Sequence, residues 1–182
     1  RDLKIVGSEA LVRWQSPLSG AVPPARFIPI AEETGTIRFL DLWTLYRAAS
    51  QLKRWHTNGH SNLYVSVNVS PSQFKQVELV AQVSGMLDSL GLDGKFLKLE
   101  LTEGIIMDDP ENGIAKMEEL RGLGISLSLD DFGTGYSSLS YLRRSPIETL
   151  KIDRSFITDL HTNRNNQEIV KAMIAMARGF GM

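Results

Sequence analysis

The sequence predicts an α/β protein of the TIM-type (β/α)8 barrel class, incomplete at its C-terminus, and three observations favour this fold class. Short apolar runs rich in Val, Leu and Ile alternate with longer segments whose apolar residues recur at helical spacing. The central runs are apolar at most positions, which suits strands covered on both faces. Five or six strands are visible in 182 residues, whereas a closed barrel has eight strands in about 250 residues. The chain therefore corresponds to about six of the eight βα units.

The individual elements follow from local patterns. Apolar side chains at helical spacing predict helices over 42–52, 80–90, 114–120 and 170–177. Asp109-Pro110 opens the third helix as cap and first-turn proline, and Gly124 closes it. The Pro-, Ser- and Gly-rich stretch Ser16–Pro24 is predicted to be a loop. The predicted strands are Leu3–Val6 continuing to Trp14, then Leu63–Val69, Phe96–Leu101, Ile125–Leu129 and Thr149–Ile152.

Composition excludes several classes of protein. Hydrophobic residues make up 42% and charged residues 23%, as in ordinary globular domains. The net charge of −1 argues against a DNA or RNA backbone binder. The sequence has no cysteine, which excludes disulfides and suits a reducing, cytoplasmic compartment. No apolar run approaches the roughly 18 residues that span a bilayer. We expect one domain over residues 1–182.

Polar residues collect where the predicted strands end. In parallel α/β folds the loops at the carboxyl ends of the strands open on one side, and function gathers there. One acid at a strand end carries little information, whereas such residues on five successive strands indicate a shared site. They are Glu9, Asn68, Glu100 with Glu103, Asp130 with Asp131, and Lys151 with Asp153.

Converging carboxylates need positive charge. Two of them about 5 Å apart repel by roughly 3 kcal/mol at an effective dielectric near 20, so such a cluster must protonate or hold cations. The three histidines lie in helix-end or loop contexts and cysteine is absent, which disfavours zinc. Oxygen ligands favour Mg²⁺ or Mn²⁺. The adjacent pair Asp130-Asp131 suits two metal ions, because one carboxylate can bridge them.

Several of these motifs carry a resemblance. The segment Asp130–Gly135 reads Asp-Asp-Phe-Gly-Thr-Gly, and together with the other strand ends it is similar to the EAL domain family, the phosphodiesterases of the bacterial second messenger cyclic di-GMP. The resemblance covers essentially the whole chain, including Phe27–Glu32. Its other motifs are Glu9-Ala10-Leu11, Asn68-Val69-Ser70, Glu100-Leu101-Thr102-Glu103 and Lys151-Ile152-Asp153.

The resemblance implies a role for each matching residue. Lys151 would position the attacking water or help to deprotonate it, and Glu103 would anchor the loop after the two aspartates. Substrate contacts would come from Leu11 and Arg13, the latter on a phosphate oxygen, with Asp153 close by. The implied ligands of one ion are Glu9, Asn68, Glu100 and Asp130, with Asp130 bridging to a second ion that Asp131 also contacts.

Simpler interpretations of single residues stay open. Glu103 is also explained as an acid at a helix start, Asp153 as the cap of the following turn, and Arg13 as a surface arginine. The two aspartates before Gly-Thr-Gly suit a solvated turn when taken alone. The family also has a later metal-binding glutamate and a later glutamine beyond the last helix, and neither falls within 1–182. Activity of this piece alone is therefore open.

The implied activity is metal-dependent hydrolysis of cyclic di-GMP to the linear dinucleotide pGpG. The alternative is a non-catalytic cyclic di-GMP receptor or a regulatory dimerisation module of a larger sensor protein. A homodimer through the loop Phe132–Ser138 and a fused sensor or diguanylate cyclase domain are the expected partners. The expected location is the cytoplasm, either free or as the cytoplasmic domain of a membrane-anchored bacterial protein.

Overall fold

The computed structural model describes residues 3–105, 109–135 and 139–182. The chain forms two compact units, residues 1–99 and residues 100–182, and strand β5 (Leu97–Thr102) belongs to both. Each unit has its own helices and its own buried residues.

In the first unit the parallel strands β1 (Gly7–Ala10) and β4 (Tyr64–Val69) are paired, with Glu9 opposite Ser66. Gly7 lies against the ring of Tyr64, and a Cβ atom added there, 2.6 Å from the ring, would displace it. The strand predicted from Leu3 to Trp14 is formed only over Gly7–Ala10, and residues 3–6 and 11–13 lie outside it.

A short hairpin follows β1, in place of the predicted loop. Strands β2 (Trp14–Ser16) and β3 (Gly20–Val22) are antiparallel, and Gly20 has a φ of 70° at the turn between them. The sequence prediction of a loop over Ser16–Pro24 was wrong for this part, because the turn residues of a tight hairpin have the composition of a loop.

The helices of the first unit pack on its strands. Helix α2 (Ile37–Thr57) contacts β4, and α4 (Leu79–Leu90) in turn contacts α2, which confirms the two helices predicted here. Ala49, Leu52 and Val67 are completely buried in this layer. Helices α1 (Pro24–Glu33) and α3 (Pro71–Phe74) and the 3-10 turn Gly94–Phe96 complete the unit.

In the second unit strands β6 (Ser126–Phe132) and β7 (Thr149–Ile152) are parallel, with an irregularity in register between Leu129 and Phe132. Asp109 caps the helix α5 (Pro110–Gly122) as predicted. The other elements are α6 (Leu139–Arg144), the 3-10 turn Arg154–Phe156 and α7 (Arg164–Gly179).

The five parallel strands belong to one sheet in the order β1-β4-β5-β6-β7, which agrees with the five or six strands predicted from the sequence. Leu99, Leu101, Leu127 and Leu129 are completely buried, so every second residue of β5 and β6 packs into the core and the intervening positions can carry polar side chains. None of the described helices has the length and apolar character that a membrane crossing requires.

Candidate functional site

Glu9 and Asn68 form one part of the candidate site, in the first unit. They lie near the carboxyl ends of the paired strands β1 and β4, where the parallel register brings their side chains together. The Nδ2 of Asn68 donates a hydrogen bond of 3.0 Å to Oε1 of Glu9. Because this bond uses the donor end of the amide, the amide oxygen is the end available as a ligand.

Glu100, Asp130 and Lys151 form the other part, in the second unit. The Nζ of Lys151 donates to Oε2 of Glu100 at 2.6 Å and to Oδ2 of Asp130 at 3.0 Å. Burial opposes the charged amine, but the bonds to Glu100 and Asp130 outweigh it and raise the pKa of Lys151 above its ordinary value. Glu100 is only 5% exposed, so the ammonium supplies charge that this carboxylate cannot obtain from water.

Asp131 is the penultimate residue of β6, just before the glycine-rich turn. Its φ of 53° is the one positive value at a non-glycine residue in the described ranges, and such a backbone costs about 1–2 kcal/mol. Partial burial and then the charges of Asp130 and Asp153 raise the pKa of Asp131, against a smaller opposing effect of Lys151. The side chain is therefore held among acids, as a ligand of a cation would be.

Asp153 caps the 3-10 turn at Arg154–Phe156. Its carboxylate accepts hydrogen bonds from the N–H of Ser155 at 2.9 Å and from the hydroxyl of the same residue. These bonds lower the pKa of Asp153. The capping interpretation of Asp153 therefore describes its geometry, and the expected substrate contact stays a prediction.

Glu103 holds the glycine-rich turn. Its Oε2 accepts hydrogen bonds from the N–H groups of Gly133 and Gly135, both at 3.2 Å. The side chain is 5% exposed, and its Oε1 is buried without a partner among the described residues. A Cβ atom at Gly135 would lie 3.3 Å from Cδ of Glu103, so the missing side chain allows the close approach. This geometry is what a loop anchor needs; residues 136–138 of the loop lie outside the described residues.

Leu11 and Arg13 lie just after β1. Both line a cavity of about 530 Å³ between β1 and α2, which Trp43, Arg47 and Arg54 also line. Leu11 is half exposed, and Arg13 donates to the carbonyl of its neighbour Val12. Their side chains are thus accessible to a ligand, and their substrate contacts stay predictions.

One polar contact near the site was not predicted. Asp41 in α2 accepts a hydrogen bond from the N–H of Ser70, two residues after Asn68. No local signal could have found it, because an aspartate in a predicted helix has the pattern of an ordinary surface acid. His56, which the sequence places near a helix end, is a second case: it is half-buried, and its Nε2 is hydrogen-bonded to the carbonyl of Leu63 at 2.8 Å.

A parallel sheet flanked by helices, with acids, an amide and a lysine at its strand ends, defines an α/β protein with carboxylates at the carboxyl ends of its strands. Comparison with known proteins then identifies the family. The EAL domain family matches residues 1–182, so the chain belongs to the EAL domain family.

Two curated relatives come from Pseudomonas aeruginosa. The cyclic di-GMP phosphodiesterase NbdA is 49% identical over 93% of this chain and 22% of its own length. The bifunctional diguanylate cyclase/cyclic di-GMP phosphodiesterase MucR is 41% identical over 96% of this chain and 25% of its own. The chain spans about a quarter of the length of these relatives.

A solved structure confirms the predicted fold class. The MucR phosphodiesterase in complex with cyclic di-GMP superposes with a TM-score of 0.94 at 40% identity, covering 98% of this chain and 72% of that one. The chain thus has the EAL form of the TIM-type barrel, of which the described residues contain five parallel strands.

Proposed function

We propose that this chain is the catalytic part of a metal-dependent phosphodiesterase that hydrolyses cyclic di-GMP to pGpG. The observation that carries the proposal is Lys151 bonded to both Glu100 and Asp130, in a member of the EAL domain family. The names of NbdA and MucR support the same substrate for this chain. We also propose that residues 1–182 form a single EAL domain.

The residues present fit divalent cations. Glu9, Glu100 and Asp130 are carboxylates that could hold a metal ion. The hydrogen bond from Asn68 to Glu9 uses the amide nitrogen, so the amide oxygen of Asn68 could act as a fourth ligand. A set made only of oxygen atoms favours Mg²⁺ or Mn²⁺ over zinc. We propose Asp130 as the bridge to a second ion, which Asp131 would also contact.

When bound, the two cations would make a coordinated water acidic and offset charge on the phosphoryl oxygens. The residues of the chain prepare the rest of the reaction. Lys151 would position the attacking water or help to deprotonate it. Arg13 would bind a phosphate oxygen and Leu11 would contact the nucleotide, with Asp153 beside them. One phosphoester bond breaks as water adds to phosphorus, which gives the linear dinucleotide.

The partners follow from the same proposal. We propose cyclic di-GMP as the ligand, a homodimer through the loop Phe132–Ser138, and a cytoplasmic location. The loop prediction falls partly outside the described residues, at 136–138. A fused diguanylate cyclase domain is supported by the bifunctional name of MucR, of which this chain matches only a quarter.

The test incubates the protein with cyclic di-GMP and Mn²⁺ or Mg²⁺ and separates the products by chromatography. We expect pGpG from the wild type and none from Glu9→Ala, with an unchanged circular dichroism spectrum. Glu33→Ala, which removes an exposed glutamate of α1, is the matched control and should retain turnover. Tight binding of cyclic di-GMP without any product would identify a receptor and overturn the enzymatic proposal.

A further inference from the structure

We propose that Asp41 is a positioning residue for the metal ligand Asn68, acting through the backbone N–H of Ser70. The inference rests on the proposed function, because it takes Asn68 as a ligand. Asp41 belongs to α2 and is far from Asn68 in sequence, and no sequence motif assigns it a role.

The contact holds the chain where β4 ends. The Oδ2 of Asp41 accepts the N–H of Ser70 at 3.0 Å, one residue after the last residue of the strand, Val69. Beyond that point the sheet no longer fixes the backbone, so another acceptor is needed to define the path of the chain. Asp41 provides this acceptor from a long helix that packs on β4.

Ser70 is also the N-cap of the short helix α3. Its φ of −68° and ψ of 156° are extended, and its hydroxyl accepts the N–H of Gln73 at 3.2 Å. Four residues are too few to form a stable helix on their own. The direction of α3, and of the chain leaving Asn68, therefore depends on how Ser70 is held.

Asn68 is thereby fixed on two sides. Its side chain donates to Glu9, and its backbone is held two residues later by Asp41, with the buried Val69 between them. A ligand is effective only when its oxygen is held in a narrow range of positions, and residues behind the ligands commonly provide this. Asp41 supports the amide oxygen of Asn68 in this way, by holding the backbone at Ser70.

The choice of an acid at this position supports a functional role. Burial raises the pKa of Asp41, while the hydroxyl and N–H of Ser70 lower it and the charge of Glu32 raises it further. Burial thus opposes the charged form of this carboxylate, and a smaller apolar residue would pack in α2 without that penalty. The aspartate provides a hydrogen bond to the N–H of Ser70 that an apolar residue could not make.

The test measures Mn²⁺ binding directly, by the EPR signal of free Mn²⁺ in a titration of the full chain without nucleotide, together with turnover of cyclic di-GMP. Asp41→Ala should weaken Mn²⁺ binding about tenfold, the lower range for residues that support metal ligands. Asp41→Asn keeps an oxygen acceptor and should bind Mn²⁺ nearly as the wild type does. Asp88→Ala, an exposed aspartate of α4, is the matched control.

A second pair of variants removes the donor instead of the acceptor. Ser70→Pro deletes the N–H, and the φ of −68° already suits proline; Ser70→Ala deletes only the hydroxyl. We expect Ser70→Pro to weaken Mn²⁺ binding about as much as Asp41→Ala, Ser70→Ala to weaken it less, and the combination of Asp41→Ala with Ser70→Pro to add nothing further.

The outcomes separate the two proposals. Unchanged Mn²⁺ affinity in Asp41→Ala, with or without a lower melting temperature, would overturn the role of Asp41 while leaving the proposed function standing. An Asp41→Asn variant as weak as Asp41→Ala would also overturn it, because the acceptor would then not be what matters. A wild-type chain that binds no Mn²⁺ would overturn the proposed function, and this inference with it.

Discussion

Lys151 places one ammonium group against two carboxylates, Glu100 and Asp130, and this contact offsets part of their negative charge. Glu100 is almost completely buried, and Lys151 itself is 32% exposed. Without the ammonium the two acids would repel each other in a poorly solvated place. A bound divalent cation would supply the same kind of charge to these two acids.

Replacing Lys151 with Met tests this charge balance. We expect the variant to lose about 1–3 kcal/mol of unfolding free energy in EDTA, because Glu100 is left as a buried acceptor without its partner. Mn²⁺ should restore much of this loss, since it replaces the missing positive charge. Chemical denaturation with Mn²⁺ and with EDTA measures both effects, and turnover should fall by about 100-fold or more.

The matched control is Lys171→Met, which removes a lysine from an exposed pair with Glu168 on α7. Pairs of that kind contribute about 0–1 kcal/mol, so its stability should be close to wild type in both conditions. Equal stability of Lys151→Met and wild type in EDTA would contradict the stabilising role of Lys151.

Glu103 acts on the same region through the backbone. Glu103→Ala removes the acceptor of two N–H groups, and we expect a loss of about 1–3 kcal/mol for the unpaired donors. Turnover should decrease more than cyclic di-GMP binding, because the turn after Asp131 loses its anchor. Glu103→Gln, which keeps one oxygen acceptor, should recover part of the turnover, and the exposed Glu119→Ala on α5 should have no effect. If turnover of Glu103→Gln were no higher than that of Glu103→Ala, the oxygen acceptor at this position would not be what anchors the turn.

At the scale of elements, the turn after β6 is packed against the helical layer of its own unit. A Cβ atom at Gly133 would clash with Cε of Met173 in α7 and would lie 2.8 Å from the ring of Phe156. Its φ is 100°, a region that residues with a side chain rarely adopt. The glycine thus serves packing and backbone direction together.

Gly133→Ala should therefore be strongly destabilising. We expect a loss of about 1–3 kcal/mol from overpacking alone, with the backbone strain in addition, measured by the midpoint of thermal or urea unfolding. Gly179→Ala in α7 is the control: a Cβ atom added there would meet nothing within 4 Å, and the change should be neutral or stabilise the helix by up to about 1 kcal/mol. Similar midpoints for the two variants would refute the tight packing of the turn.

The elements also show which features the sequence could predict. The strands β4, β5, β6 and β7 and the helices α2, α4, α5 and α7 were predictable, because local periodicity and caps determine them, although β6 extends past the predicted Leu129 to Phe132. The hairpin β2–β3 was not, since three-residue strands carry too little pattern. Residues 3–6 have an apolar composition but lie outside β1, and hydrogen bonding to a neighbour, which the composition does not reveal, decides where a strand starts.

At the scale of the whole molecule, the strand-end pattern predicted residues that the structure brings into contact, Asn68 with Glu9 and Lys151 with Glu100 and Asp130, since parallel strands bring their carboxyl ends to one edge. It could not predict Asp41 or the bond of His56 to Leu63, because both partners are set by how α2 packs. A residue whose role depends on a tertiary contact alone leaves no signal in its own neighbourhood.

The proposed ligands come from both compact units: Glu9 and Asn68 from the first, Glu100 and Asp130 from the second. If one metal site uses all four, Mn²⁺ should slow amide hydrogen exchange at the end of β4 and at the end of β6 in parallel, because binding to the native state suppresses local opening. Glu9→Ala should remove the effect in both units, although only the first unit is mutated, whereas Glu33→Ala should leave it intact. Slowing confined to one unit would show that the metal ligands do not extend beyond that unit.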